Sequence, residues 1–150
     1  KYNNIRVGIN GRLDSIQASI LLEKFKIFRD EIKSRRQIAD RYNQKISVRY
    51  ITPYTPVDYK TSWAQYSILV PENIPRLEVI KKLKKKNIPT MIYYPIPLHL
   101  QEVYKALNYK KGDFPVSENI SKKILSLPMH PYLKEIEQSL IIDELNNIVG

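Results

Sequence analysis

The sequence predicts an α+β fold, a small sheet flanked by helices, in a single domain spanning residues 1–150. Apolar residues recur at helical spacing near both chain ends. Between them, one short segment alternates apolar and polar residues, and another is rich in β-favouring types. A length of 150 residues suits one domain of the usual roughly 100–200 residues.

The composition excludes several classes of protein. It is 43% hydrophobic and 27% charged, as in globular rather than disordered chains. No apolar run approaches the roughly 18–20 residues that span a bilayer. The sequence has no cysteine, which rules out disulfides, thiolate metal sites and cysteine nucleophiles. A net charge of +10 favours anionic partners, unless the lysines only solvate the surface.

The first third of the chain predicts a loop followed by a long helical segment. Residues 1–12 are polar and contain two glycines. Asp14 or Ser15 can cap the helix that follows. Helical periodicity continues over residues 14–46, which is long for a globular domain, so we expect a break near residues 28–30 that gives two helices.

The middle of the chain shows strand and helix signals in turn. Residues 63–70 alternate in polarity, as in a half-buried strand. Pro75 suits the start of a helix, which Asn87 ends. Thr90–Tyr94 predicts a second strand.

The last third predicts short elements and a closing helix. They are a short helix over 100–107, a turn at Gly112, a helix from Pro115 to near Leu125, a short strand over 125–128 and a helix over Glu135–Val149.

Residues just ahead of the first helix form a candidate anion site. The Asn10 amide and the Arg12 guanidinium are donors suited to a phosphate or a carboxylate near a helix N-terminus. The alternative is a glycine turn with a helix cap and a surface arginine, since short motifs of this kind often occur by chance.

A second candidate site follows the predicted strand over 90–94. The strand ends in Tyr93 and Tyr94, and a stiff loop with two prolines then presents His99 and Gln101. Polar and aromatic groups on a rigid loop after a strand are typical of binding sites. The alternative is that one tyrosine packs in the core and that His99 is merely exposed.

Two further features favour structural interpretations. The chain has only two histidines, and His130 lies in a proline-flanked loop, so no metal site is predicted. Five lysines within residues 81–86 decorate the polar face of a predicted helix, where charge usually serves solvation. An RNA-binding module is a competing hypothesis, because positive charge and the strand tyrosines Tyr93 and Tyr94 are features of RNA-stacking sheets.

Ordered motifs make the sequence similar to one known family over nearly its whole length. They occupy residues 7–18, 62–66, 88–101, 114–118 and 125–131. This order resembles the C-terminal portion of the DegT/DnrJ/EryC1/StrS aminotransferases, pyridoxal-phosphate enzymes that aminate keto groups on nucleotide-linked sugars. The resemblance implies the small C-terminal domain of a fold-type-I aminotransferase, with a small, mostly antiparallel sheet.

The same resemblance implies that the chain is a fragment. A large domain, holding pyridoxal phosphate and the lysine that binds it covalently, would precede residue 1. We therefore assign no catalytic residue in this chain, and we expect the fragment alone to be inactive.

The resemblance also implies roles for single residues in a homodimer whose subunits share their active sites. Asn10 corresponds to an asparagine that reaches across the dimer interface to the cofactor phosphate, and Arg12 to an arginine near the neighbouring subunit's substrate. Tyr93, Tyr94 and His99 correspond to residues that line the sugar-nucleotide pocket. Many relatives carry His where Tyr93 stands, so a charged role at that position is in doubt.

The implied reaction moves an amino group from an amino-acid donor, expected to be glutamate, to a keto sugar for polysaccharide or glycan synthesis. The motif over residues 8–17 is closer to relatives that act on 3-keto sugars than on 4-keto sugars. We expect a cytoplasmic protein with no nucleic-acid or membrane partner. An RNA-binding, regulatory or dimerisation module of the same fold class is the competing hypothesis.

Overall fold

The computed structural model describes residues 3–8, 11 and 13–150. Within these ranges, helices surround a small sheet. In chain order the elements are α1 (Ser15–Lys45), β1 (Tyr66–Leu69), α2 (Arg76–Lys85), two 3-10 segments (Leu98–Leu100 and Glu102–Leu107), α3 (Pro115–Lys123), β2 (Ile124–Leu127) and α4 (Glu135–Val149). In these same ranges, no helix is both long and apolar enough to cross a bilayer.

The sheet consists of β1 and β2 paired antiparallel, with Tyr66 opposite Leu127. Single bridges extend it on both sides, one through Ile51 and one between Met91 and Ser126. The predicted α+β class, with a small antiparallel sheet and flanking helices, is confirmed.

The predicted break in the first helix is wrong, because α1 runs without interruption for 31 residues. Residues 28–30 contain neither glycine nor proline, so nothing there removes a backbone hydrogen bond. Only the usual length of globular helices argued for a break. The predicted cap is confirmed, since Oδ1 of Asp14 accepts the backbone N–H of Gln17 at 2.8 Å.

The predicted strand over Thr90–Tyr94 is also wrong, because only Met91 pairs with the sheet. Its N–H donates to the Ser126 carbonyl at 3.1 Å, and its carbonyl accepts the Ser126 N–H at 2.8 Å. Pro89, at the next hydrogen-bonding position before Met91, has no N–H to donate, so the ladder cannot continue on that side.

The remaining elements lie close to their predicted places. Helix α4 has the predicted bounds, and α2 ends just before Asn87, whose φ is 58°. The short helix predicted over 100–107 is instead a pair of 3-10 segments. The strand predicted over 63–70 forms only at β1, and Trp63, with a φ of 49°, lies outside the β region.

The core lies where the C-terminal half of α1 meets the sheet and α4. Tyr42 and Tyr66 are fully buried with their ring centroids 4.8 Å apart, and the Tyr42 hydroxyl donates to the Pro128 carbonyl at 3.0 Å. Burial raises the pKa of both tyrosines well above 10, so they stay neutral. Gln138 of α4 is also buried, and its amide donates to the Ile38 carbonyl at 2.7 Å.

The N-terminal half of α1 exposes its apolar side chains. Ile16 is 74% exposed and Phe25 is 64% exposed, while Ile38 and Ala39 at the other end of the helix are buried. The other exposed apolar side chains of this half are Ile20, Leu21, Leu22, Ile27 and Phe28. An apolar surface of this kind is typical of a face that another protein surface covers.

Candidate functional site

An open cavity of about 1020 Å³ lies between the loop that leaves the sheet and the start of α3. One wall is formed by Tyr93, Tyr94 and residues 96–98. The opposite wall is formed by residues 113–117 and the α3 residues that follow. Both walls contain prolines, which restrict the backbone on either side of the cavity.

Both predicted tyrosines lie on the first wall. Their ring centroids are 5.7 Å apart with the planes at 64°, and Tyr94 is 62% exposed while Tyr93 is half-buried. Neither ring packs in the core, so the structural alternative for these two residues is wrong. Aromatic faces and hydroxyls beside an open cavity are suited to a ring-shaped polar ligand.

His99 lies behind this wall rather than on an exposed surface. Its side chain is 7% exposed, and its ring centroid lies 4.7 Å from that of Phe114. Its Nε2 lies 3.1 Å from Oε1 of Glu118. An ionised carboxylate can only accept, so the histidine nitrogen is the donor. The alternative that His99 is merely an exposed surface residue is therefore wrong. Contact of His99 with a substrate stays a prediction.

Glu118 is a functional candidate that the sequence analysis missed. Its Oε1 accepts three hydrogen bonds, from His99 Nε2 and from the backbone N–H groups of Gly112 at 2.7 Å and Phe114 at 3.4 Å. The Gly112 bond, with smaller contributions from His99 and Phe114, lowers the pKa of this carboxyl below its ordinary value, although burial opposes the shift. The residue belongs to a recognised motif, but a glutamate in a first helical turn looks like ordinary helix stabilisation.

Gln101 joins the N-terminal segment to the same loop. The residue is 4% exposed, its Oε1 accepts the Asn4 N–H at 3.2 Å, and its amide donates to the Ile96 carbonyl at 3.3 Å. A backbone bond from Val103 N–H to the Asn4 carbonyl, at 2.9 Å, lies beside it. Asn4 also lines the cavity, so the N-terminal segment reaches the cavity at this residue.

Asn10 and Arg12 lie outside the described residues, and their predicted roles stay predictions. The described lining of the cavity contains no lysine and no arginine, and Asp113 is its only carboxylate. This lining suits uncharged ring faces, but it offers neither a lysine for pyridoxal phosphate nor a cation for its phosphate. The described residues do not form a pyridoxal-phosphate site by themselves.

The RNA-binding hypothesis depends on tyrosines displayed on an open sheet. Tyr93 and Tyr94 instead follow a single bridge, on a loop that lines a cavity. This placement removes the structural argument for stacking RNA bases on a strand face.

Comparisons with known proteins identify the family. A sequence model of the DegT/DnrJ/EryC1/StrS aminotransferase family matches residues 1–146. The chain belongs to this family. It is 38% identical over 148 residues to the UDP-2-acetamido-2-deoxy-3-oxo-D-glucuronate aminotransferase of Pseudomonas aeruginosa, a match that covers 98% of this chain and 40% of that protein.

Two further relatives support the same assignment. The dTDP-3-amino-3,6-dideoxy-alpha-D-galactopyranose transaminase of Aneurinibacillus thermoaerophilus is 35% identical, with 97% of this chain and 39% of that protein covered. The crystal structure of a DegT DnrJ EryC1 StrS aminotransferase from Brucella abortus superposes with a TM-score of 0.84 at 45% identity, covering 100% of this chain and 39% of that one. The chain thus spans about two fifths of the length of these relatives. The predicted family is confirmed, and membership supports the predicted dependence on pyridoxal phosphate.

Proposed function

We propose that this chain is the C-terminal part of a pyridoxal-phosphate-dependent aminotransferase that acts on a nucleotide-linked keto sugar. The supporting observation is the match of nearly the whole chain to sugar aminotransferases, with its motifs in the family's order. The amino donor is an amino acid, expected to be glutamate. The product serves polysaccharide or glycan synthesis in the cytoplasm.

The proposed substrate carries its keto group at carbon 3. The sequence of the motif over residues 8–17 favours this position, because it is closer to relatives that act on 3-keto sugars. The names of two relatives are in keeping with it, since one specifies a 3-oxo sugar and the other a 3-amino sugar.

The proposed enzyme also contains a large domain ahead of residue 1. That domain would cover the exposed apolar face of α1 around Ile16 and Phe25, which this chain leaves in contact with water. It would also supply the cofactor's lysine, in keeping with the absence of lysine from the described cavity lining.

Each predicted site residue has a proposed role in a homodimer with shared active sites. Tyr93 and Tyr94 bind the substrate, with ring faces against the sugar or base and hydroxyls toward its polar groups. Asn10 donates to the cofactor phosphate across the subunit interface. Arg12 offers the substrate diphosphate a positive charge, which the described lining lacks. His99 is the remaining residue of the predicted set; because its side chain lies behind the tyrosine wall, we propose that it acts on the substrate through Tyr93 and Tyr94.

The test uses the complete protein, including the chain ahead of residue 1. We expect it to show the visible absorbance of lysine-bound pyridoxal phosphate and to transfer nitrogen from glutamate to UDP- or dTDP-linked 3-keto sugars, followed by product mass. A folded complete protein without that absorbance would refute the proposal. Residues 1–150 alone should transfer nothing.

A pair of tyrosine variants tests whether the substrate binds at the cavity wall that contains Tyr93 and Tyr94. Tyr94→Ala is expected to raise KM for the nucleotide sugar, because it removes an exposed ring beside the cavity. Tyr54→Ala is the matched control, since Tyr54 is 85% exposed and lies outside the cavity lining. Equal effects of the two changes would contradict the placement of the substrate.

A further inference from the structure

We propose that Glu118 is a positioning residue that joins the two walls of the cavity through His99 and so holds Tyr93 and Tyr94 in place for the substrate. The identity of that substrate depends on the proposed function. The connection between the walls does not depend on the proposed function, because it is seen directly in the contacts of the described residues.

The tyrosine-bearing wall needs such a connection because its backbone is poorly anchored. Prolines at 95 and 97 cannot donate hydrogen bonds. The carbonyls of Pro97 and Leu98 accept from the backbone N–H groups of residues 100 and 101, within the local 3-10 turn. Among the described residues, no backbone–backbone hydrogen bond joins residues 95–99 to α3. Side chains therefore provide the link between this loop and the opposite wall.

Glu118 provides that link from a central position. The carboxylate lies in the first turn of α3, and the same oxygen bonds the turn at Gly112 and Phe114 and the His99 ring. Phe114, which belongs to the second wall, packs against the His99 ring. His99 is thus held by a hydrogen bond and a ring contact, both from the wall opposite the tyrosines.

The burial of this pair makes the hydrogen bond hard to replace. Glu118 is 8% exposed, and the His99 side chain is 7% exposed. Water has little access to either group, so removing the acceptor leaves a buried donor unpaired. The loop can satisfy that donor only by moving, and movement displaces the two tyrosines.

The proposed role of Glu118 requires an acceptor oxygen but no proton transfer. Matched substitutions distinguish an acceptor from a proton-transfer group. Glu118→Met removes the acceptor at similar length, while Glu118→Gln keeps an acceptor oxygen without an ionisable group. His99→Phe keeps a ring against Phe114 but removes the donor, while His99→Gln keeps a donor. Glu102→Gln is the control, because Glu102 forms an exposed pair with Lys105 at 2.6 Å.

The complete enzyme is assayed by steady-state kinetics with each substrate varied. We expect Glu118→Met and His99→Phe each to raise KM for the nucleotide sugar about tenfold, as for loss of one buried charge-assisted hydrogen bond. KM for the amino donor should stay unchanged. Glu118→Gln and His99→Gln should restore most of the sugar affinity, and the Met/Phe double variant should be no worse than either single one.

Hydrogen exchange of the loop supplies a readout that does not depend on activity. The amides of Leu100 and Gln101, which donate within the 3-10 turn that carries His99, should exchange faster in Glu118→Met and His99→Phe than in wild type, with no change in Glu102→Gln. Unchanged exchange would overturn the connection even if the protein proves not to be a sugar aminotransferase. Faster exchange with an unchanged KM for the nucleotide sugar, in an active enzyme, would overturn the role of the Glu118–His99 connection in substrate binding. If Glu118→Met does not fold, the KM for the nucleotide sugar and the hydrogen exchange of the loop are both measured on His99→Phe.

Discussion

Replacing Gln101 by Met tests whether one buried amide holds the N-terminal segment against the cavity. The side chain accepts from Asn4 N–H at 3.2 Å and donates to the Ile96 carbonyl at 3.3 Å. Methionine has a similar length and no comparable hydrogen-bonding group, so both bonds disappear while the apolar packing stays.

The expected cost follows from the surroundings of the two partners. Asn4 and Ile96 are exposed, so water can take over both lost bonds and the cost stays near the net value of a hydrogen bond. Of the two bonds, only the one from Asn4 attaches the segment, so its loss costs about 0.5–1.5 kcal/mol and raises the population of the detached segment about 2- to 13-fold.

Hydrogen exchange measures this population at the Val103 amide, which donates to the Asn4 carbonyl at 2.9 Å. Val103 should exchange faster in the variant by the same factor, because detachment of the segment breaks its bond. Gln44→Met, at an exposed position of α1, is the matched control. Unchanged exchange at Val103 would show that Gln101 does not hold the segment.

Three further predictions concern the core, the cavity wall and the cofactor. Tyr42→Phe should lower the free energy of unfolding by about 1–2 kcal/mol in urea titrations, because the Pro128 carbonyl loses its buried donor, while the exposed Tyr54→Phe should not change it. The folded pKa of Glu118 lies below its ordinary 4.5, so its stabilisation is complete above that value and is lost as pH falls through the lowered pKa. Urea midpoints of wild type should therefore fall more steeply than those of Glu118→Gln over this acid range; parallel curves would contradict the shift. In the complete protein, which we propose to be a homodimer, Asn10→Ala should weaken retention of pyridoxal phosphate on gel filtration, and undiminished retention would favour a turn-and-cap role for Asn10.

The sequence predicted the elements whose signals are local. Helix α4 has both its apolar periodicity and its bounds within one segment, and Asp14 caps α1 through a side chain three residues away from its donor. The strand over Thr90–Tyr94 failed because strand formation depends on a partner. β-Favouring residues were present, but only Met91 of this segment pairs with β2, and Pro89 prevents the ladder from continuing on one side.

The site divides in the same way. Aromatic residues on a proline-stiffened loop indicated a binding surface, and the structure places Tyr93 and Tyr94 beside a cavity. Glu118 could not be found by that reasoning, because its role depends on His99, which lies 19 residues earlier in the chain. The apolar spacing along α1 likewise predicted an apolar face. It could not show that only the C-terminal half of the helix is buried within this chain.

The distribution of charge indicates how this cavity fits into a larger active site. The chain carries a net charge of +10, yet the described lining has no basic side chain and one aspartate. An aromatic wall can bind ring faces, but a diphosphate needs donors or cations. In the proposed function, Arg12 or the upstream domain would therefore neutralise the phosphates of the nucleotide sugar. Asn4, fixed by Gln101, places the start of the segment that leads to Arg12 on the cavity wall. In the proposed enzyme, ring recognition and charge neutralisation thus come from different parts of the protein, and tight binding would require both parts to be assembled.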